Sequence, residues 1–105
     1  MKRVIIESPY ADNTRMYTIY AREAVLDCLK RGEAPFASHL FYTKVLDDTI
    51  SDERRLGMEA GFAWSTVAEL VAVYNDLGIS SGMKEGIARA KALGIPVEYR
   101  SLLPQ

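Results

Sequence analysis

The sequence has 105 residues, 49% of them apolar, and a formal net charge of −1 at pH 7. That is the size of one domain around one core, too apolar for a disordered chain and too evenly charged for a general electrostatic grip on nucleic acid. A single cysteine, Cys28, excludes an intramolecular disulfide and a cysteine-based metal site, and no apolar run approaches the ~18 residues of a membrane span.

Residues Val4-Ile5-Ile6 form a β-branched run that ends at Glu7-Ser8-Pro9-Tyr10. This is the pattern of a central strand buried on both faces and stopped by a proline. Such an early strand leaves no room for a signal peptide, so a single cytoplasmic domain over residues 1–105 is expected, with no membrane partner. From about Ala11 to Arg31 the period becomes helical, with Asp12, Asn13 and Thr14 as candidate caps. Tyr17, Tyr20, Ala21, Ala24, Val25, Cys28 and Leu29 make its apolar face, and Gly32 makes its stop. Pro35-Phe36-Ala37-Ser38 predicts a short second strand, followed at once by His39 and a loop over 40–49. A second helix is predicted from Glu53 to about Val67, with Ser51 as its cap and Leu56, Ala60, Ala63 and Val67 at helical spacing.

Leu70-Val71-Ala72-Val73-Tyr74 is the second strongly apolar run. A polar, glycine-punctuated loop follows it, then a third helix from about Met83 to Leu93, stopped by Gly94. Ile95 to Tyr99 is the last strand. The β-α-β-α-β-α-β alternation predicts an α/β fold with a short parallel sheet of about four strands and helices on both faces. The two most apolar runs belong at its centre, giving the order 2-1-3-4.

Ligands on such sheets bind beyond the strands' C-terminal ends, at a topological switch point. Three segments converge there: Glu7-Ser8-Pro9-Tyr10, Ser38-His39 and the stretch from Asn75 to Met83. Ser80, Ser81 and Gly82 enter a helix, where free N–H groups favour an anion, although a simple cap explains them equally well. Glu7 ends a central strand, so its charge needs either a salt bridge, for instance to Arg3, or a function. His39 is the sole histidine and serves either a loop hydrogen bond or catalysis. Tyr10, Tyr42 and Trp64 are suited to stacking on a base or to packing. Cys28 lies on the apolar helix face and reads as packing. No metal-ligand spacing is present. The expected ligand-binding set is Glu7, Ser8, Pro9, Tyr10, Ser38, His39, Tyr42, Asp76, Ser80, Ser81, Gly82 and Met83.

The stretch Leu70 to Arg100 resembles the nucleoside 2-deoxyribosyltransferase-like superfamily. The resemblance is carried by Val71-Ala72-Val73-Tyr74, by Gly78-Ile79-Ser80-Ser81-Gly82-Met83 and by Ala88 to Val97. Glu7-Ser8-Pro9-Tyr10 and the order of elements also fit. Over nearly its whole length the chain resembles small, bacteriophage-associated members of that group, which share stretches like Gly32 to His39. The resemblance implies a flavodoxin-like layering, a nucleotide-like small-molecule partner, assembly as a homo-oligomer and no cofactor. It also implies cleavage or transfer of an N-glycosidic bond by a glutamate on the third helix. Counting six positions from Ser80, or four from Gly82, lands on Gly86, and Glu85 is turned away by about 100°. The reading that follows is a nucleotide-binding protein that captures or sequesters a nucleotide or nucleotide-derived signal without turnover. Its alternative is an N-glycosidase or deoxyribosyltransferase using Glu7, with His39 as proton donor or orienting group. A purely structural role as an oligomerisation partner ranks behind both.

Overall fold

The structure, a computed structural model, describes residues 1–103. Strand β1 (Arg3–Glu7) is followed by α1 (Thr14–Lys30), β2 (Ala34–Phe36), α2 (Ser51–Ser65), β3 (Leu70–Tyr74), α3 (Ser81–Ala92) and β4 (Val97–Arg100). All pairings are parallel and the order is β2-β1-β3-β4. The two continuous apolar runs therefore lie side by side in the middle, with Ile5 opposite Val71 and Glu7 opposite Val73.

Strand alternation sorts the core into two layers. Val4, Ile6, Leu70, Ala72 and Tyr74 face α1 and pack on Ala24 and Cys28. Ile5, Val71 and Val73 face α3 and pack on Met83, Ile87 and Ala90. Val4, Ile6, Val71 and Val73 are each no more than 2% exposed, and each such side chain contributes about 1.5–3 kcal/mol by burial. Right-handed crossovers explain the layering. The chain moves one way from β1 to β2 and the opposite way from β3 to β4, which puts α1 and α3 on opposite faces. The direction reverses between β1 and β3, and there the crevice opens.

Several boundaries differ from the sequence expectation. Asn13 caps α1 by accepting the Met16 N–H, so Ala11 and Asp12 lie outside the helix. Strand β2 begins at Ala34 and ends at Phe36, because Ser38–Leu40 turns back as a short 3-10 helix. Tyr42–Lys44 forms a second such turn where a plain loop is expected. Ser51 is the first residue of α2 rather than its cap, and Ile50 precedes it in extended conformation without a side-chain cap. Ser80 caps α3 through Met83 N–H, so that helix begins at Ser81. Ile95 is part of the exit from α3, its N–H bonded to Ala90 O after Gly94 at φ +72°, and β4 starts only at Val97.

Helix α2 presents the opposite face from the one expected. The helix ends at Ser65, short of the expected Val67; Leu56 and Ala63 are exposed on it, whereas Gly61 and Ser65 are buried. Small residues let α2 approach closely. A Cβ on Gly61 would stand 2.6 Å from Ser38 Oγ, so the helix seats against the turn after β2 only because that atom is missing.

Candidate functional site

At the crevice lies a cavity of about 520 Å³. Its walls come from the segment after β1, the turn after β2, one face of α2 and the entry to α3. Ten of the expected ligand-facing residues line it: Glu7, Ser8, Pro9, Tyr10, Ser38, His39, Ser80, Ser81, Gly82 and Met83. Tyr42 and Asp76 do not. The Tyr42 hydroxyl accepts from Trp64 Nε1 at 2.9 Å in an aromatic group with Phe36, on the outer side of the turn. Asp76 accepts from Tyr20 Oη at 2.6 Å and from the Leu102 N–H at 2.7 Å, tying α1 to the segment after β4. Both side chains are already satisfied by neighbours outside the cavity.

Glu7 occupies the centre. As the alternate residue to Ile5 it projects toward α2 and α3, but beyond the end of the apolar core. Its carboxyl has no hydrogen bond and no ion pair among the described residues. The expected bridge to Arg3 is not formed, because the Arg3 guanidinium binds Glu69 at 3.3 Å at the other end of the strand. Burial without a compensating charge pushes the Glu7 carboxyl up to about 8. The carboxyl lies directly over Gly86 on α3. A Cβ there would come within 2.6 Å of Glu7 Cδ and 2.9 Å of Oε1, with Oε2 nearer still. The space that a side chain at residue 86 would use is filled by the Glu7 carboxyl.

Ser8 is buried, and its Oγ is 2.7 Å from His39 Nε2. Burial holds His39 down to about 4, so the ring is neutral at pH 7. The edge of Tyr10 meets this ring, with centroids 6.3 Å apart at 71°. No hydrogen bond joins His39 to Glu7 among the described residues. A neutral histidine bound to Ser8 fits an orienting role and does not fit a charged proton donor.

At the other end of the cavity, Ser81 and Gly82 bring the first N–H groups of α3, which have no acceptor within the helix. Arg54 lines the same space and its guanidinium makes no ion pair among the described residues. The neighbouring Arg55 behaves differently: it binds Glu85 at 2.8 Å and also Glu59. This pairing lowers the Glu85 carboxyl and turns it toward α2, away from the cavity. Arg54, Met58 and Phe62 line the cavity from α2, and Tyr17 and Asp48 join them, all five outside the ligand set expected from the sequence. The helical spacing of 54, 58, 61, 62 and 65 was the available signal. Cys28 is fully buried beside Tyr74 Oη at 3.3 Å, as packing predicts. Among the described residues no cluster of His, Cys, Asp or Glu could hold a metal ion, and no helix is long and apolar enough to cross a membrane.

A four-stranded parallel sheet of this order, with its cavity at the β1/β3 switch point, defines a nucleoside deoxyribosyltransferase-like α/β fold. The chain belongs to the family described as a domain of unknown function, DUF7768, whose model matches residues 2–100. Among solved structures it is similar to the 2-deoxyribosyltransferase of the psychrotolerant bacterium Bacillus psychrosaccharolyticus. The TM-score is 0.68 at 14% identity, over 98% of this chain and 74% of that one. It is also similar to the CMP N-glycosidase BcmB of Clostridium botulinum, with a TM-score of 0.54 at 15% identity, over 95% of this chain and 69% of that one. No curated protein matches it.

Proposed function

We propose that this cavity binds a nucleoside or nucleotide and that the chain breaks or transfers its N-glycosidic bond, with Glu7 as the working carboxyl. The observation that carries this reading is the Glu7 side chain: an acid without a protein partner, raised to about 8, facing a cavity at the switch point. Protonated at pH 7, it is a proton donor for a departing base. The bond between C1′ and the base nitrogen breaks, its electron pair goes to the nitrogen, and the Glu7 proton neutralises it. The carboxylate left behind stabilises the cationic sugar, and water or a second base adds to C1′ while its proton returns to Glu7. His39 holds Ser8, and with it the start of this segment, in place.

The similarity to structures named as a deoxyribosyltransferase and a CMP N-glycosidase supports this reading over capture alone. Sequestration without turnover follows only if Gly86 leaves the cavity without a carboxyl, and Glu7 supplies one from the strand. The Glu85 carboxylate, engaged by Arg55, has no part in the reaction. The ligand's anionic end, where it has one, belongs with Arg54 and the Ser81 and Gly82 N–H groups. Assembly of copies completes the reading, since Ile19, Leu26, Leu56 and Trp64 leave apolar surface exposed on α1 and α2.

Incubation with a panel of nucleosides and nucleoside monophosphates, followed by chromatography, tests it. Free base is expected from the wild type and from Glu85→Gln, and not from Glu7→Gln. A ligand that raises the melting temperature of the wild type yet releases no base would restore the capture reading.

A further inference from the structure

Glycine in a helix interior costs backbone entropy and offers nothing to pack. Gly86 nevertheless sits in the middle of α3, on its buried side, directly beneath the Glu7 carboxyl. A Cβ at this position meets no backbone atom among its nearest neighbours. All of them, Oε2, Cδ and Oε1, belong to Glu7. The far end of Glu7 is also the one part of this contact free to swing, because no hydrogen bond or ion pair anchors it among the described residues. A methyl group at residue 86 would therefore meet the Glu7 carboxyl first.

We propose that Gly86 is a positioning residue: its missing side chain is the slot that keeps the Glu7 carboxyl in the cavity. This rests on the function proposed for Glu7, but its geometry is testable without turnover. The slot accounts for a glycine where helix propensity favours alanine. It also accounts for an unpaired acid that stays inside rather than turning to water. Gly86 has no group that takes part in the reaction; it acts by leaving room.

The test uses the full chain labelled with ¹³C at the glutamate carboxyls, with the Glu7 signal assigned by its loss in Glu7→Gln. In the wild type that signal is expected to titrate near 8. In Gly86→Ala it is expected to move into the ordinary carboxylate range, while the melting temperature at pH 7 rises, because the cost of the buried carboxyl is relieved, and base release falls at least a hundredfold. A Gly86→Ala protein with the wild-type titration and rate would overturn the inference, because the helix would then have yielded instead of the carboxyl. If Gly86→Ala does not fold, Glu7→Ala/Gly86→Ala decides. It removes the carboxyl that the methyl meets and is expected to fold, and its failure would also overturn the inference. Absence of base release in every protein, wild type included, would defeat the functional reading while the titration still judges Gly86.

Discussion

The Ser8 hydroxyl and His39 Nε2 lie 2.7 Å apart, so the segment after β1 and the turn after β2 are joined inside the wall of one cavity. The bond is made by a ring that burial keeps neutral. Burial thus sets a direction for the protein's response to acid.

The folded His39 is lowered to about 4 from an ordinary value of 6.5. As pH falls below 6.5 the unfolded chain takes up a proton that the folded chain refuses, so stability is lost between 6.5 and 4. At pH 5 the loss from this group amounts to about 2 kcal/mol. His39→Gln keeps a polar partner for Ser8 without a titrating group. Urea unfolding at pH 7 and pH 5 in a Glu7→Gln background, which removes the opposite contribution of Glu7, is expected to show a smaller drop with His39→Gln than with His39. Equal drops would mean that His39 is already hydrated in the folded state.

A second polar network closes the α1 face. Arg100, with 4% of its side chain exposed, holds both Glu33 oxygens at 2.7 Å, and Tyr74 Oη donates to Asp27 at 2.6 Å beside it. Removing one partner of such a pair strands the other's charge, which costs about 3–5 kcal/mol. Arg100→Met is therefore expected to lower the urea midpoint sharply. Arg100→Lys is expected to recover only part, because an ammonium cannot match the two-pronged geometry. Base release at a temperature where the variants remain folded should be unchanged, since neither Arg100 nor Glu33 lines the site cavity.

The sheet was readable because β1 and β3 are buried on both faces, and only continuous apolar runs tolerate that. The capping serine of α3 was readable because caps act over three residues. Helix α2 was misread for a physical reason. Its apolar positions Leu56 and Ala63 face outward, while its inner face is built of small residues and of Arg54, Met58 and Phe62 around an open space. A rule that equates apolar with buried cannot find a face that lines an open cavity. The contact between Glu7 and Gly86 was equally hidden, because it joins a strand end to a helix distant in sequence. Counting along the helix gives a missing carboxyl, and only the packing shows the space filled.

Arg54 gives a test of ligand chemistry. It lines the cavity with Ser81 and Gly82, and its guanidinium makes no ion pair among the described residues. A charge-assisted hydrogen bond contributes about 1.5–3 kcal/mol. Arg54→Ala is accordingly expected to weaken a nucleoside monophosphate by about ten- to a hundredfold in calorimetric titration, with little change for the unphosphorylated nucleoside. Equal weakening of both would place Arg54 against the sugar or base instead.

Glu7 gives a prediction in which stability and function move in opposite directions. Its folded carboxyl is raised to about 8, while in the unfolded chain it titrates near 4.5. Below pH 4.5 both states carry the proton and Glu7 contributes no penalty. As pH rises from 4.5 toward 8 the unfolded chain ionises first, and the folded state loses stability, by about 3 kcal/mol at pH 7. Glu7→Gln keeps the shape of the protonated acid and removes the ionisation. It is expected to raise the melting temperature at pH 7, by about 10 °C or more for a chain of this size, and to leave it unchanged at pH 4. The same variant is expected to release no base. A residue whose replacement stabilises the fold and abolishes turnover is held there at a cost to stability, as a working acid is. Melting curves at the two pH values decide the first half. A Glu7→Gln protein less stable than the wild type at pH 7 would show that the folded carboxylate has a partner, and that the acid is not free to give its proton to a substrate.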